Sequence, residues 1–188
     1  MRENLGVVLT NASAIDRNKT DFYPTPSNVT EALMQVVDLK DCKVLEPACG
    51  QMHMVEVLQK YAKEVDYFDK YDTFSGRIGD FLESENGGYD WVITNPPFNL
   101  SVEFIEHAIS EHKCNVAMLL KSQYWHSAKR KKLFDKHKPK GVYPLTWRPD
   151  FHFGSKGGSP TMDVMWVVWG KEPSTITEYQ PLSKGKQE

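Results

Sequence analysis

The sequence predicts a doubly wound α/β fold, a mostly parallel sheet with helices on both faces. Three observations carry this. Apolar runs of strand length alternate with amphipathic stretches of helix length. The run Val116-Ala117-Met118-Leu119-Leu120 is continuously apolar, as a strand buried on both faces should be. The unusual polar clusters all fall where a strand is expected to end, the side on which open α/β sheets bind ligands.

Residues 1–20 are polar and aperiodic and read as a flexible N-terminal segment. Thr25-Pro26 opens a helix, with a capping hydroxyl before a first-turn proline, and Val29, Leu33, Val36 and Val37 form its apolar stripe. Residues 43–48 form a strand. After Gly50 a second helix is striped by Met54, Leu58, Tyr61 and Ala62. Residues 65–68 are the second strand, 77–81 a short third and 90–94 the fourth. Val102, Ile105, Ala108 and Ile109 mark the next helix, ahead of the buried run at 116–120. A basic helix spans about 127–137, and 142–145 and 162–169 are two closing strands. The expected organisation is one domain over 21–170 and a soluble, flexible tail over 171–188.

Composition agrees with one core, since 188 residues and 21.6 kDa with 40% hydrophobic residues suit a single domain. No apolar stretch approaches the ~20 residues that span a bilayer, and Met1-Arg2-Glu3-Asn4 lacks a signal-peptide pattern, so a cytoplasmic location is expected. Cys42, Cys49 and Cys114 form no C-x-x-C pair, which argues for a reducing compartment and against a disulfide framework or zinc site. The net charge is −2, but residues 121–140 carry Lys121, Lys129, Arg130, Lys131, Lys132, Lys136, Lys138 and Lys140 against Asp135 alone. That patch suits phosphate contact and equally suits a solvated helix face.

The most informative motif is Asn95-Pro96-Pro97-Phe98, which ends the apolar run Trp91-Val92-Ile93-Thr94. The asparagine offers a side-chain carbonyl, and Pro96 lacks an N–H but keeps its carbonyl. Two acceptors can thus meet one exocyclic NH2 while Phe98 covers the ring. An ordinary proline turn is the plainer alternative. Leu45-Glu46-Pro47-Ala48-Cys49-Gly50 closes the first strand. Its glycine permits close backbone approach, the helix behind it favours a carboxylate, and Glu46 is placed to meet a cationic amine. Asp69 ends the second strand, where an acidic side chain accepts from ribose hydroxyls in dinucleotide folds, with Asp66 and Asp72 as rivals. Asp80-Phe81 offers a carboxylate and a ring for an adenine edge and face.

In this order, Asp21-Phe22-Tyr23-Pro24-Thr25-Pro26, the Glu-Pro-Ala-Cys-Gly run, Asp69, Asp80-Phe81 and Asn-Pro-Pro-Phe resemble the S-adenosylmethionine-dependent DNA adenine-N6 methyltransferases, with small phage-type members most similar. The resemblance runs from about Asp21 to Trp169. It implies a Rossmann-like sheet of seven strands with the last antiparallel, S-adenosylmethionine as cofactor, no metal, and DNA as substrate. Glu46, Ala48, Cys49 and Gly50 would then line the methionine end of the cofactor, with Tyr23 and Thr25 closing over it. Asp69 would hold the ribose, and Asp80 and Phe81 the adenine. Asn95 and the Pro96 carbonyl would accept from the target amino group, Pro97 would stiffen the turn, and Phe98 would stack on a flipped or unpaired base. For a phage-borne protein the compartment would be the bacterial host's cytoplasm.

An adenine amino nitrogen is a poor nucleophile because its lone pair is delocalised into the ring. Two acceptors that draw both N–H bonds out of plane favour a tetrahedral nitrogen, so catalysis there is orientation and electrostatics. One departure stands out: the family usually has a second glycine two positions after Gly50, and this chain has Met52. If that position requires a positive φ, methionine is a penalty.

Nucleic-acid contact is expected from Lys121, Lys129, Arg130 and Lys131. A second source is the Gly- and Ser-rich loop 148–159, through Arg148, Phe151, Phe153 and Lys156. Gln123-Tyr124-Trp125-His126 follows the buried strand and is placed to face substrate or to pack in the core. Two rivals remain open: a methyltransferase acting on an RNA base or a protein glutamine amide, and a catalytically weak module that binds nucleic acid or a partner through the same fold.

Overall fold

The computed structural model describes residues 23–71, 75–151 and 159–184. Helix α1 (Ser27–Leu33) leads into β1 (Lys43–Glu46), α2 (His53–Leu58) and β2 (Glu64–Tyr67). A 3-10 turn (Phe81–Glu83), β3 (Trp91–Thr94) and α3 (Ser101–His107) follow, the helix ending in a π turn over Ala108–His112. Then come β4 (Asn115–Lys121), a 3-10 turn (Ser122–Trp125), α4 (Ala128–Lys136), β5 (Gly141–Pro144), β6 (Val164–Trp169) and β7 (Glu178–Tyr179).

The strands form one sheet in the order β2-β1-β3-β4-β6-β5-β7. The four on the left run parallel, and β6 is inserted antiparallel between β4 and β5. Successive side chains divide between two cores, as the two-residue period of a strand requires. Leu45, Val92, Val116, Met118, Leu120 and Val167 pack on one face with Phe104 and Ile105 of α3 and Leu133 of α4. Val44, Ile93, Ala117, Leu119, Trp166 and Val168 pack on the other with Val29 and Leu33 of α1 and Met54 and Leu58 of α2. The central strands are apolar throughout because water reaches neither face. Each fully buried Leu, Ile or Val there contributes roughly 1.5–3 kcal/mol. Trp166 is fully buried, and its Nε1 donates to Val29 O at 2.9 Å, which ties α1 to the reversed strand.

Four expectations need correction. The short third strand is a single bridge, Asp69 to Ile78, because the chain turns at Asp80 into the 3-10 turn. The seventh strand comes from the expected tail: β7 pairs parallel with β5. Leu182 has no exposed surface and Gln35 Nε2 donates to Ser183 O at 2.8 Å. The tail is therefore docked up to Ser183, since one leucine and a free sheet edge suffice to hold it. The antiparallel strand is β6, the sixth in sequence rather than the last. Lastly, Thr25 does not cap α1, whose N-cap is Pro26 with no side-chain hydrogen bond.

Among the described residues, no helix is long and apolar enough to cross a membrane.

Candidate active site

Because β2, β1, β3 and β4 run parallel, their carboxyl ends open on one side of the sheet. From β1 the chain proceeds outward to β2 and later returns to β3 on the other flank. The crevice outside the ends of β1 and β3 is therefore the switch point where such folds bind ligands. The β1 end carries Glu46 and the turn to Gly50; the β3 end carries Thr94 and Asn95.

The ledge at β3 is held by the chain before α1. Asn95 Nδ2 donates to Thr25 Oγ1 at 3.1 Å and to Tyr23 O at 3.3 Å. A backbone carbonyl only accepts, so Tyr23 selects the NH2 end of the amide and leaves Oδ1 pointing elsewhere. Asn95 Oδ1 and the Pro96 carbonyl accept no hydrogen bond among the described residues. Leu100 N donates to Pro97 O at 3.0 Å, and Ser101 Oγ donates to Phe98 O at 3.0 Å, which closes the turn into α3. With its proton so placed, Ser101 Oγ accepts from Tyr124 OH at 2.9 Å. The Phe98 ring lies 5.3 Å from that of Tyr23, and Lys121 Nζ sits 3.9 Å from its centroid. Tyr23 and Thr25, expected to close over the cofactor's methionine end, thus contact the ledge itself.

The turn after β1 is braced by β2. Cys49 N donates to Phe68 O at 3.1 Å, and Gly50 N donates to Asp69 Oδ2 at 2.9 Å. Asp69 Oδ1 accepts from Tyr71 N at 3.0 Å. Gly50 has φ +48° and Met52 has φ +72° at the N-cap of α2. The penalty anticipated for Met52 is therefore present: a side chain occupies the left-handed region that glycine enters freely.

Glu46 differs from the expectation of a carboxylate placed to meet a cationic amine. It is 1% exposed, and its Oε1 accepts from Ala48 N at 3.0 Å. Burial pushes its pKa up to about 8, with the nearby Asp69 charge adding to the rise. The Thr94 hydroxyl is close enough to oppose this, yet it is buried with no hydrogen bond of ordinary geometry. Glu46 is thus mostly protonated at neutral pH. Burial also raises the Cys49 thiol to about 11 and the Cys114 thiol to about 12, so neither is a ready nucleophile.

Asp80 caps the 3-10 turn through Leu82 N at 3.1 Å and pairs with Lys70 at 2.6 Å, which holds its carboxyl below the usual range. Phe81 is 1% exposed, 4.9 Å from Phe104 and stacked on His112 at 5.1 Å. Its ring is core and has no free face for an adenine. Of the rival acids, Asp66 accepts from Tyr89 OH and pairs with Lys43 and Arg77, whereas Asp72 lies outside the described residues.

The expected nucleic-acid contacts separate into two groups. Lys129 pairs with Glu103, Lys131 with Asp135, Lys136 with Glu106 and Arg148 with Asp163, so these cations already face carboxylates. Phe151 is buried against Tyr23, and Phe153 and Lys156 lie outside the described residues. Lys121 and Arg130 line a pocket of about 220 Å³ together with Phe98, Ser101, Leu120, Gln123 and Tyr124. Sequence reasoning did not single out Ser101 or Thr94. A serine three residues past Phe98 was the available sign, since a hydroxyl at that spacing reaches back to the turn carbonyl.

No protein-family model matches this chain, and no curated protein matches it. Solved structures do resemble it. A Listeria monocytogenes protein assigned as a class I S-adenosylmethionine-dependent methyltransferase is 16% identical, with TM-score 0.60 over 87% of this chain and 67% of its own. The M protein of the type I restriction enzyme EcoKI is 14% identical, with TM-score 0.60 over 86% of this chain and 49% of its own. The 23S rRNA methyltransferase ErmE is 11% identical, with TM-score 0.58 over 81% and 71%. The chain thus spans about half the length of the EcoKI protein. The shared architecture is the Rossmann-like methyltransferase fold.

Proposed function

We propose that the chain uses S-adenosylmethionine to methylate the N6 amino group of adenine in DNA, taking the base out of the stack. One observation carries this reading: Asn95 has its NH2 end anchored, leaving Oδ1 and the adjacent Pro96 carbonyl as two acceptors without partners among the described residues. An NH2 group has two donors to match them. With both N–H bonds so engaged, the nitrogen lone pair is drawn out of conjugation and aimed away from the ledge.

When bound, S-adenosylmethionine supplies a methyl group on a positively charged sulfur. The residues at the β1 and β2 ends suit such a ligand: the Cys49–Gly50 turn would hold its methionine end, Asp69 its ribose and Asp80 its adenine. Asp69 keeps spare lone pairs on both oxygens, and neutral Glu46 leaves the crevice without a second buried charge. The nitrogen sheds one proton after methylation. Neither amide nor carbonyl oxygen is a base of useful strength, so that proton passes to water.

The test is transfer of radiolabelled methyl from S-adenosylmethionine to duplex and single-stranded DNA, followed by nucleoside analysis. N6-methyldeoxyadenosine that disappears in Asn95→Ala is the expected result. Label confined to RNA or protein overturns it. A second reading, a catalytically weak binding module, is favoured by the left-handed Met52 and the buried Phe81 ring. Calorimetry separates the two, since that reading requires DNA binding without S-adenosylmethionine binding at millimolar concentration.

A further inference from the structure

We propose that Lys121 and Arg130 form a phosphate subsite for the nucleotide whose base occupies the Phe98 ledge, which makes the substrate a nucleic acid rather than a protein amide. The proposal rests on the reading of Asn95–Phe98 as the amine ledge and adds to it the group that selects the polymer.

The pocket beside Phe98 holds about 220 Å³. That exceeds the ~150 Å³ that admits a benzene ring, so its volume suffices for a planar base. Its lining includes two cations and no carboxylate. Arg130 is held in place: its guanidinium lies 4.3 Å from the Tyr124 ring centroid, and Nη1 donates to Tyr124 O at 3.3 Å. Holding the fork this way reduces the entropy lost when it binds an oxyanion, and its remaining N–H groups match a phosphate's paired oxygens. Among the described residues Arg130 has no carboxylate partner, unlike Lys129, Lys131 and Lys136 of the same helix.

Lys121 brings the second charge from the end of β4, its Nζ over the ring that would carry the base. A base stacked on this ring would therefore have a cation beside it for its attached phosphate. A glutamine side chain on a protein would use the ledge acceptors and bring no phosphate to the Lys121 and Arg130 side of the pocket. The chain Tyr124 OH to Ser101 Oγ to Phe98 O links the Arg130 platform rigidly to the ledge.

The test compares 2′-deoxyadenosine 5′-monophosphate with 2′-deoxyadenosine, titrated by NMR into the full chain with saturating S-adenosylhomocysteine to block the donor half. The nucleotide should bind at least ~10-fold more tightly, a difference of about 1.4 kcal/mol. That advantage should shrink with salt and disappear in Arg130→Gln and Lys121→Gln while nucleoside affinity is kept. Arg130→Lys, which keeps the charge without the fork, should retain part of it and controls for loss of packing on Tyr124. Equal affinity for the two molecules, an advantage that survives both Gln variants, or no binding of either at millimolar concentration overturns the subsite. If the same preparation still methylates DNA in an Asn95-dependent way, the ledge reading stands without the subsite. If the phosphate advantage holds but no DNA is methylated, the ledge reading fails alone.

Discussion

Thr25 Oγ1 accepts a hydrogen bond of 3.1 Å from Asn95 Nδ2 across 70 residues of chain. A hydroxyl that sequence logic assigns to helix capping instead helps hold the candidate site's amide in the orientation that Tyr23 O selects. The segment before α1 is thereby part of the candidate site, and four predictions follow from this and neighbouring features.

On the proposed function, Thr25→Val should keep the fold and lower methyl transfer. The change leaves Nδ2 with Tyr23 O alone, so the amide can rotate and Oδ1 loses its aim. A misplaced orienting group costs roughly 10- to 100-fold in rate. Steady-state kinetics should show the loss in kcat more than in KM, with Thr25→Ser restoring most of it.

Met52→Gly should stabilise the protein. A left-handed residue costs roughly 1–2 kcal/mol when it is not glycine, and glycine's extra unfolded-state freedom offsets about 0.5–1 kcal/mol of that. Urea denaturation should therefore show a gain of up to about 1.5 kcal/mol, with Met52→Ala near wild type because alanine stays strained. A clear loss in Met52→Gly would mean the Met52 side chain contributes packing that outweighs the strain.

Stability should fall as pH rises from about 6.5 to 8. Folded Glu46 has a pKa of about 8 against 4.5 for an ordinary glutamate, so the folded state binds the extra proton through this window. Raising pH then favours the unfolded chain, by up to about 1.4 kcal/mol per pH unit. Below about 6.5 His112 opposes this trend. Burial holds its pKa at about 4, so falling pH protonates the unfolded state first and also destabilises the fold. Denaturation of Glu46→Gln at pH 6.5 and 8 should show the Glu46 slope flattened.

Leu182→Ala should destabilise by about 2–5 kcal/mol, the cost of a truncated core leucine. A change within about 0.5 kcal/mol, as a free tail would give, would show that the β7 segment does not dock in solution. Thermal melting of this variant and of a chain ending before Glu178 measures it.

The parallel core was legible because periodicity reports it directly. The continuous run 116–120 became β4, and the apolar runs in 90–94 and 162–169 became β3 and β6, whose side chains divide between the two faces of the sheet. Asn95-Pro96-Pro97-Phe98 was placed at a strand end for the same reason, since Pro96 cannot extend a ladder. The role of Phe81 was not legible, because a ring after an aspartate looks alike whether it faces a ligand or a second aromatic layer. Only Phe104 and His112 packing on it decide that. The tail was misjudged because docking onto a sheet edge uses backbone groups, which leave little trace in side-chain pattern.

The residues by themselves determined the central strands, the order of the chemical clusters and the strand ends at which those clusters lie, because apolar patterning and chain stiffness are written locally. Tertiary structure decided which groups remain open. It turned the amide of Asn95, took the charge from Glu46, paired most of the basic helix with carboxylates and brought Arg130 alongside Phe98. Each of these depends on a neighbour far away in sequence, and hydrogen bonding and desolvation respond to distance in space.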